Sequence, residues 1–179
     1  MKKIQLPLKE EDIESLHAGD GVLLSGVIYT ARDAAHKRMA QLIKEGKPLP
    51  FDLKGSVIYY VGPTPSDGIH LIGSAGPTTS SRMDAYTPEL LDLGLKAMIG
   101  KGRRSKEVKE AIVRNQAVYF IAVGGAGALM SHCITSCETI AFDDLLSEAI
   151  RKLTVKDMPC FVGIDARGND IYDQKGSQL

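Results

Sequence analysis

Val22-Leu23-Leu24-Ser25-Gly26-Val27-Ile28-Tyr29-Thr30-Ala31-Arg32-Asp33-Ala34-Ala35-His36 contains a change of period. Up to Ile28 the run is almost continuously apolar, as in a strand buried on both faces. Beyond Thr30, the residues Ala34, Ala35, Met39, Leu42 and Ile43 form a stripe at helical spacing. Thr30 is placed to cap that helix, and Asp33 falls in its first turn, where negative charge suits the helix dipole. Gly46 and Pro48 end it near Glu45. A strand feeding directly into a helix is the repeating unit of an α/β domain.

The same alternation continues along the chain. Val57 to Val61 reads as a strand broken by Gly62-Pro63, and Ile69 to Ile72 as another. Thr87-Pro88-Glu89 reads as a cap, a first-turn proline and a first-turn acid for a helix that ends near Gly94. Ala97 to Ile99 is a short buried strand closed by Gly100-Lys101-Gly102. Ser105 caps a helix bearing Val108, Ala111 and Ile112 on one face. Val118 to Val123 is a strand, Asp143 caps a short helix through Leu146, and Cys160 to Ile164 is a final strand before a polar tail. We find no repeat, low-complexity tract or long linker, and 179 residues suit one domain, 1–179.

Lys and Arg number 22 and Asp and Glu 22, so no basic excess points to nucleic acid or a membrane surface. No segment reaches the length of a membrane span, and Met1 to Pro7 contains no apolar run of signal-peptide length. A cytoplasmic address is expected.

Two runs concentrate chemistry. Gly76-Pro77-Thr78-Thr79-Ser80-Ser81-Arg82-Met83-Asp84 offers four successive hydroxyls and then a guanidinium. A turn needs glycine and proline but not four hydroxyls, and capping uses one or two of them. Hydroxyls and a fork of N–H donors in one loop suit a small carboxylate or phosphate ligand. In the earlier run Arg32 is expected in the first helical turn, beside outward N–H groups. There it extends an anion site or merely pairs with Asp33. His36 lies one turn further on and should face the same way, as an acid–base group or as a structural histidine. Two arginines from separate turns could hold the two ends of a dicarboxylate.

Lys101, between two glycines at a strand end, is free to reach an anion. Gly124-Gly125-Ala126-Gly127-Ala128 looks like a phosphate cradle but lacks the dinucleotide spacing and the P-loop lysine, so a tight strand-to-helix turn is expected. Cys133, Cys137 and Cys160 could be three cluster ligands, but their spacing fits no known iron–sulfur pattern. Small buried hydrophobes is the expected reading.

Taken together, the runs resemble the β component of the class I, iron–sulfur-dependent hydro-lyases, fumarate hydratase and L-tartrate dehydratase. The matching residues, in order over nearly the whole chain, are Gly19-Asp20, Leu24-Ser25-Gly26, Thr30 to Arg38, Gly76 to Ser80 with Arg82-Met83-Asp84, Gly100-Lys101-Gly102, Glu148-Ala149-Ile150 and Gly168-Asn169-Asp170. The resemblance implies a swivelling three-layer β/β/α domain. It also implies half an enzyme, whose larger α component holds a 4Fe–4S cluster with its own three cysteines, so that no metal is expected on this chain. By position it implies Thr78 as the proton-abstracting residue. Arg32, Arg82 and Lys101 would hold the substrate carboxylates, Thr79, Ser80 and Ser81 would bind substrate from the same loop, and His36, the family's histidine, would be the second catalytic residue. Leu146-Ser147-Glu148 departs from the family's glycine-containing turn and is expected to lie outside the site. The alternatives are a tartrate dehydratase and a non-catalytic dicarboxylate-binding module.

Overall fold

A computed structural model describes residues 1–123 and 127–174. The elements run β1 (Lys2–Gln5), α1 (Glu10–Ser15), β2 (Gly21–Thr30), α2 (Asp33–Lys44), β3 (Val57–Tyr59), α3 (Thr87–Asp92), β4 (Ala97–Gly100), α4 (Lys106–Arg114), β5 (Val118–Ala122), α5 (Gly127–His132), β6 (Ile134–Ala141) and β7 (Ile150–Ile164). Strands β1 to β5 are parallel neighbours, and β7 is antiparallel to β5, β6 and β2. Because β7 pairs with both β5 and β2, the sheet closes into a barrel.

The apolar strands have two buried faces because they separate two cores. Val57, Tyr59, Ala97, Ile99, Val118 and Phe120 point into the barrel with Leu24, Ile28 and Cys160. Their sequence neighbours Ile58, Met98 and Tyr119 point outward against α2, α3 and α4, where Ala35, Met39, Leu90, Leu91, Val108 and Ile112 cover them. Period two in the strands and period 3.6 in the helices therefore meet in one outer layer.

Several elements differ from the sequence reading. Ile69 to Ile72 is no strand: it is a run of bends in which Ile69 and Leu71 are exposed. Thr30 ends β2 instead of capping α2. Its buried hydroxyl donates to Ala149 O and accepts from Arg151 N, which stitches β2 to β7. Arg32 is the residue before the first turn of α2, with extended backbone. Thr87 is the first helical residue of α3 instead of its cap. The final strand runs fifteen residues from Ile150, and β1, α1 and β6 were not anticipated. The strand read over Val118 to Val123 is found over Val118–Ala122, and the Ser105 cap is as read, its hydroxyl accepting from Val108 N at 3.2 Å. Residues 124–126 of the glycine-rich run lie outside the described residues, and Gly127 and Ala128 begin α5. No helix among the described residues is long and apolar enough to cross a membrane.

Candidate active site

The carboxyl ends of β2, β3 and β4 lie side by side, the end at which parallel strands followed by helices carry ligand-binding loops. Arg32 leaves the end of β2. Thr78 is fastened to the end of β3, its N–H donating to Tyr60 O at 2.8 Å. Thr79 bridges Lys101 at the end of β4, and Ser80 N donates to Lys101 O at 2.9 Å. Residues Ser80–Met83 then form a single 3-10 turn that carries Arg82 back toward α2, where its Nη2 lies 2.5 Å from Asp33 Oδ2. The Arg32 side chain runs over Gly62, just beyond β3: a Cβ there would sit 2.9 Å from Arg32 Cδ. The hydroxyl loop and both arginines thus share one end of the barrel.

The site residues separate into two groups. Thr78 is half-buried, and Thr79, Ser81 and Lys101 are exposed. Among the described residues, no protein group bonds the side chains of these four. Arg32 is partly buried, its Nε 3.9 Å from Asp33 Oδ1 and 4.0 Å from Glu148 Oε1. Those distances are too long for hydrogen bonds, and Arg32 Nε and Asp33 Oδ1 are buried without partners. The unsatisfied Arg32 donor at the loop rim is what an incoming carboxylate would satisfy.

Ser80 and His36 lie behind that surface. The Ser80 hydroxyl is fully buried and accepts from Lys101 N at 3.0 Å and from Tyr119 OH at 2.8 Å. Its pocket exists because residue 100 is glycine: a Cβ at that position would strike Ser80 Oγ and come within 2.8 Å of Tyr60. Gly100→Ala is expected to cost about 1–3 kcal/mol of stability, read as a lowered urea midpoint. His36, expected to share the outward face of Arg32, instead turns into the core. It is fully buried, its Nδ1 lies 2.8 Å from Arg32 O, and its ring packs edge-on against Tyr60. The i to i+4 relation holds for the backbone, but the ring takes the apolar side of the helix.

Burial lowers the His36 pKa to about 4, against the partly offsetting pull of the Arg32 carbonyl. The unfolded chain titrates near 6.5, so between these values the unfolded state binds the extra proton. Stability from neutral His36 is fully present above pH 6.5 and is lost as pH falls toward 4. Urea midpoints at pH 7.5 and 5.5 should therefore differ more for the wild type than for His36→Gln.

Sequence reasoning missed Arg104. Its side chain is wholly buried, with Nε 2.6 Å from Asp84 Oδ1 and Nη2 3.1 Å from Tyr60 OH and 3.0 Å from Thr87 Oγ1. Its guanidinium lies over the rings of Tyr60 and Tyr119 at 5.2 and 4.8 Å. Asp84 also accepts from Ser105 N at 2.7 Å. The loop that carries Arg82 is therefore anchored at Asp84 by a buried cation. Nothing in Gly102-Arg103-Arg104-Ser105 distinguishes the buried arginine from Arg103, which is exposed and pairs with Asp173. Glu148 corrects the expectation for its turn. Its carboxylate accepts from Ala34 N at 3.2 Å, and Ser147 O lies beside Gly62, so this turn borders the site.

The cysteines do not fit a metal cluster. Cys160 faces the barrel core, where burial pushes its thiol up. Burial raises Cys133 and Cys137 as well. Among the described residues no three His, Cys, Asp or Glu side chains gather as a metal site would need.

The family model described as Fumarase C-terminus matches residues 1–175. The chain belongs to the Fumarase C-terminus family. It is 37% identical over 178 residues to a protein of Methanocaldococcus jannaschii named "Putative L(+)-tartrate dehydratase subunit beta", covering 96% of this chain and 91% of that protein. It is 39% identical over 153 residues to the anaerobic class I fumarate hydratase of Escherichia coli, covering 84% of this chain but 28% of that enzyme. A Geobacillus stearothermophilus protein named "Putative fumarate hydratase class I" is 35% identical, with 95% of this chain and 33% of that protein covered. A Fumarase C-terminus chain thus spans nearly all of one relative and about a third or less of the other two.

Proposed function

We propose that this chain is the β component of an iron–sulfur hydro-lyase that interconverts L-malate and fumarate together with a separate α subunit. The observation that carries the reading is the gathering of Arg32, Thr78, Arg82 and Lys101 at the carboxyl ends of β2, β3 and β4, in a member of this family. In this reading the 4Fe–4S cluster sits on the α subunit, and the pair acts in the cytoplasm. The domain is the swivelling β/β/α unit: opposed walls of the barrel make two layers, and α2, α3 and α4 make the third.

The chemistry assigned to this chain is proton transfer and charge stabilisation. Removing the C–H proton beside a carboxylate drives a second negative charge onto that carboxylate. Arg32, Arg82 and Lys101 hold the two carboxylates and oppose the growing charge, usually the largest single catalytic contribution. Thr78 Oγ1 takes the proton. It does so as the alkoxide, having first lost its own proton to solvent, and the neighbouring cations favour that anion and lower the cost of forming it. Thr79 and Ser81 line the same loop, whereas Ser80 and His36 act from behind it as supports.

A tartrate dehydratase is the second reading, favoured by the relative that this chain covers almost completely. The two substrates differ by one hydroxyl, which a pocket either satisfies or rejects. Turnover of L-malate and L-tartrate by the reconstituted pair decides between them. Failure of both, with tight dicarboxylate binding by this chain alone, would leave a non-catalytic binding module.

A further inference from the structure

Asp33 stands between the two arginines at the rim of the candidate site. Its Oδ2 contacts Arg82 Nη2 at 2.5 Å, and its Oδ1, buried and without a hydrogen bond, lies 3.9 Å from Arg32 Nε. An aspartate in the first turn of a helix ordinarily serves the helix end. Here Glu148, from a distant turn, takes the Ala34 N–H at 3.2 Å, and among the described residues no backbone amide donates to Asp33. The carboxylate is thus spent on side chains. It joins two separate segments, the start of α2 and the 3-10 turn Ser80–Met83.

Arg82 needs such a tether. Its side chain is 53% exposed, and Asp33 is its one ion-pair partner among the described residues. A free arginine samples many rotamers, and ordering it must be paid for when a ligand binds. Arg32 differs: it is 24% exposed and is braced by the Gly62 backbone. We propose that Asp33 is a positioning residue for Arg82, holding that guanidinium at the site rim so that it meets a substrate carboxylate without reorganisation. Asp33 also separates two like charges that would otherwise repel. It touches no reacting atom.

The inference rests on the hydro-lyase reading, and a double-mutant cycle on the reconstituted complex separates the two. Wild type, Asp33→Asn, Arg82→Met and the double variant are compared in kcat/KM. Asp33→Asn is expected to lower kcat/KM on the order of tenfold in the wild-type background and less than about twofold when Arg82→Met is already present. A role in helix α2 or in folding would cost the same factor in both backgrounds. Equal losses, or no loss in the wild-type background, overturn the proposal while leaving the function intact. A wild-type complex inert toward both L-malate and L-tartrate overturns the function and this proposal with it. If Asp33→Asn fails to assemble, Asp33→Ser takes its place. If Arg82→Met leaves turnover too low to measure, the same cycle is read from calorimetric binding of fumarate to the complex.

Discussion

Thr78→Ala should lower kcat of the assembled enzyme by about 10²–10⁴-fold, the usual contribution of a positioned proton-transfer group. The loss should come without unfolding. Thr78 is held by its backbone N–H on Tyr60 O at 2.8 Å, a bond that alanine retains. Its hydroxyl has no protein partner among the described residues, so removing it breaks no internal bond. The urea midpoint of the variant chain should match wild type, and Thr78→Ser, which keeps the oxygen, should recover much of the rate. Wild-type kcat for Thr78→Ala would contradict the role.

Arg82→Lys should cost about 10²–10³-fold in kcat/KM, on the scale of losing one charge-stabilising donor. Charge is unchanged, so the loss isolates geometry. Arginine offers a planar fork that meets a carboxylate with two parallel N–H bonds, whereas lysine offers a point charge on a flexible stem. Arg82 is half exposed and its ion pair with Asp33 lies near the surface, so stability should hardly move. Unchanged kinetics would make Arg82 an ordinary surface residue.

Local sequence carried the parallel part of the fold from β2 to β5, but not β1, because each strand there is followed by its own helix. Buried strands at Val57, Ala97 and Val118 and the Ser105 cap are legible from runs of a few residues. Closure of the barrel was not legible, since it depends on β7 pairing with β2 across more than a hundred residues. Strand β6 gave no apolar run to read: of its eight residues four are exposed and only Ile134 is buried. Ile69 to Ile72 failed for the opposite reason: apolar residues need not be buried, and here two of them are not.

The residues of the candidate site that face outward were legible in the sequence, whereas the inward turn of Ser80 and His36 was not. Thr78, Arg82 and Lys101 stand out because hydroxyls and cations beside glycine and proline have no structural need to be there. Ser80 lies in the same run, but its pocket depends on Gly100 and Tyr119, which only the folded chain brings together. Arg104 and Glu148 reach their partners through contacts between distant segments, and no local spacing announces them.

The claim on which these expectations depend is that this chain supplies the alcohol and the cations of an active site shared with a cluster-bearing partner. The most direct measurement is turnover of L-malate to fumarate by this chain and that partner, separately and mixed. The account predicts activity in the mixture alone, lost with Thr78→Ala. A mixture inert toward both L-malate and L-tartrate would contradict it, as would a partner that works equally well without this chain.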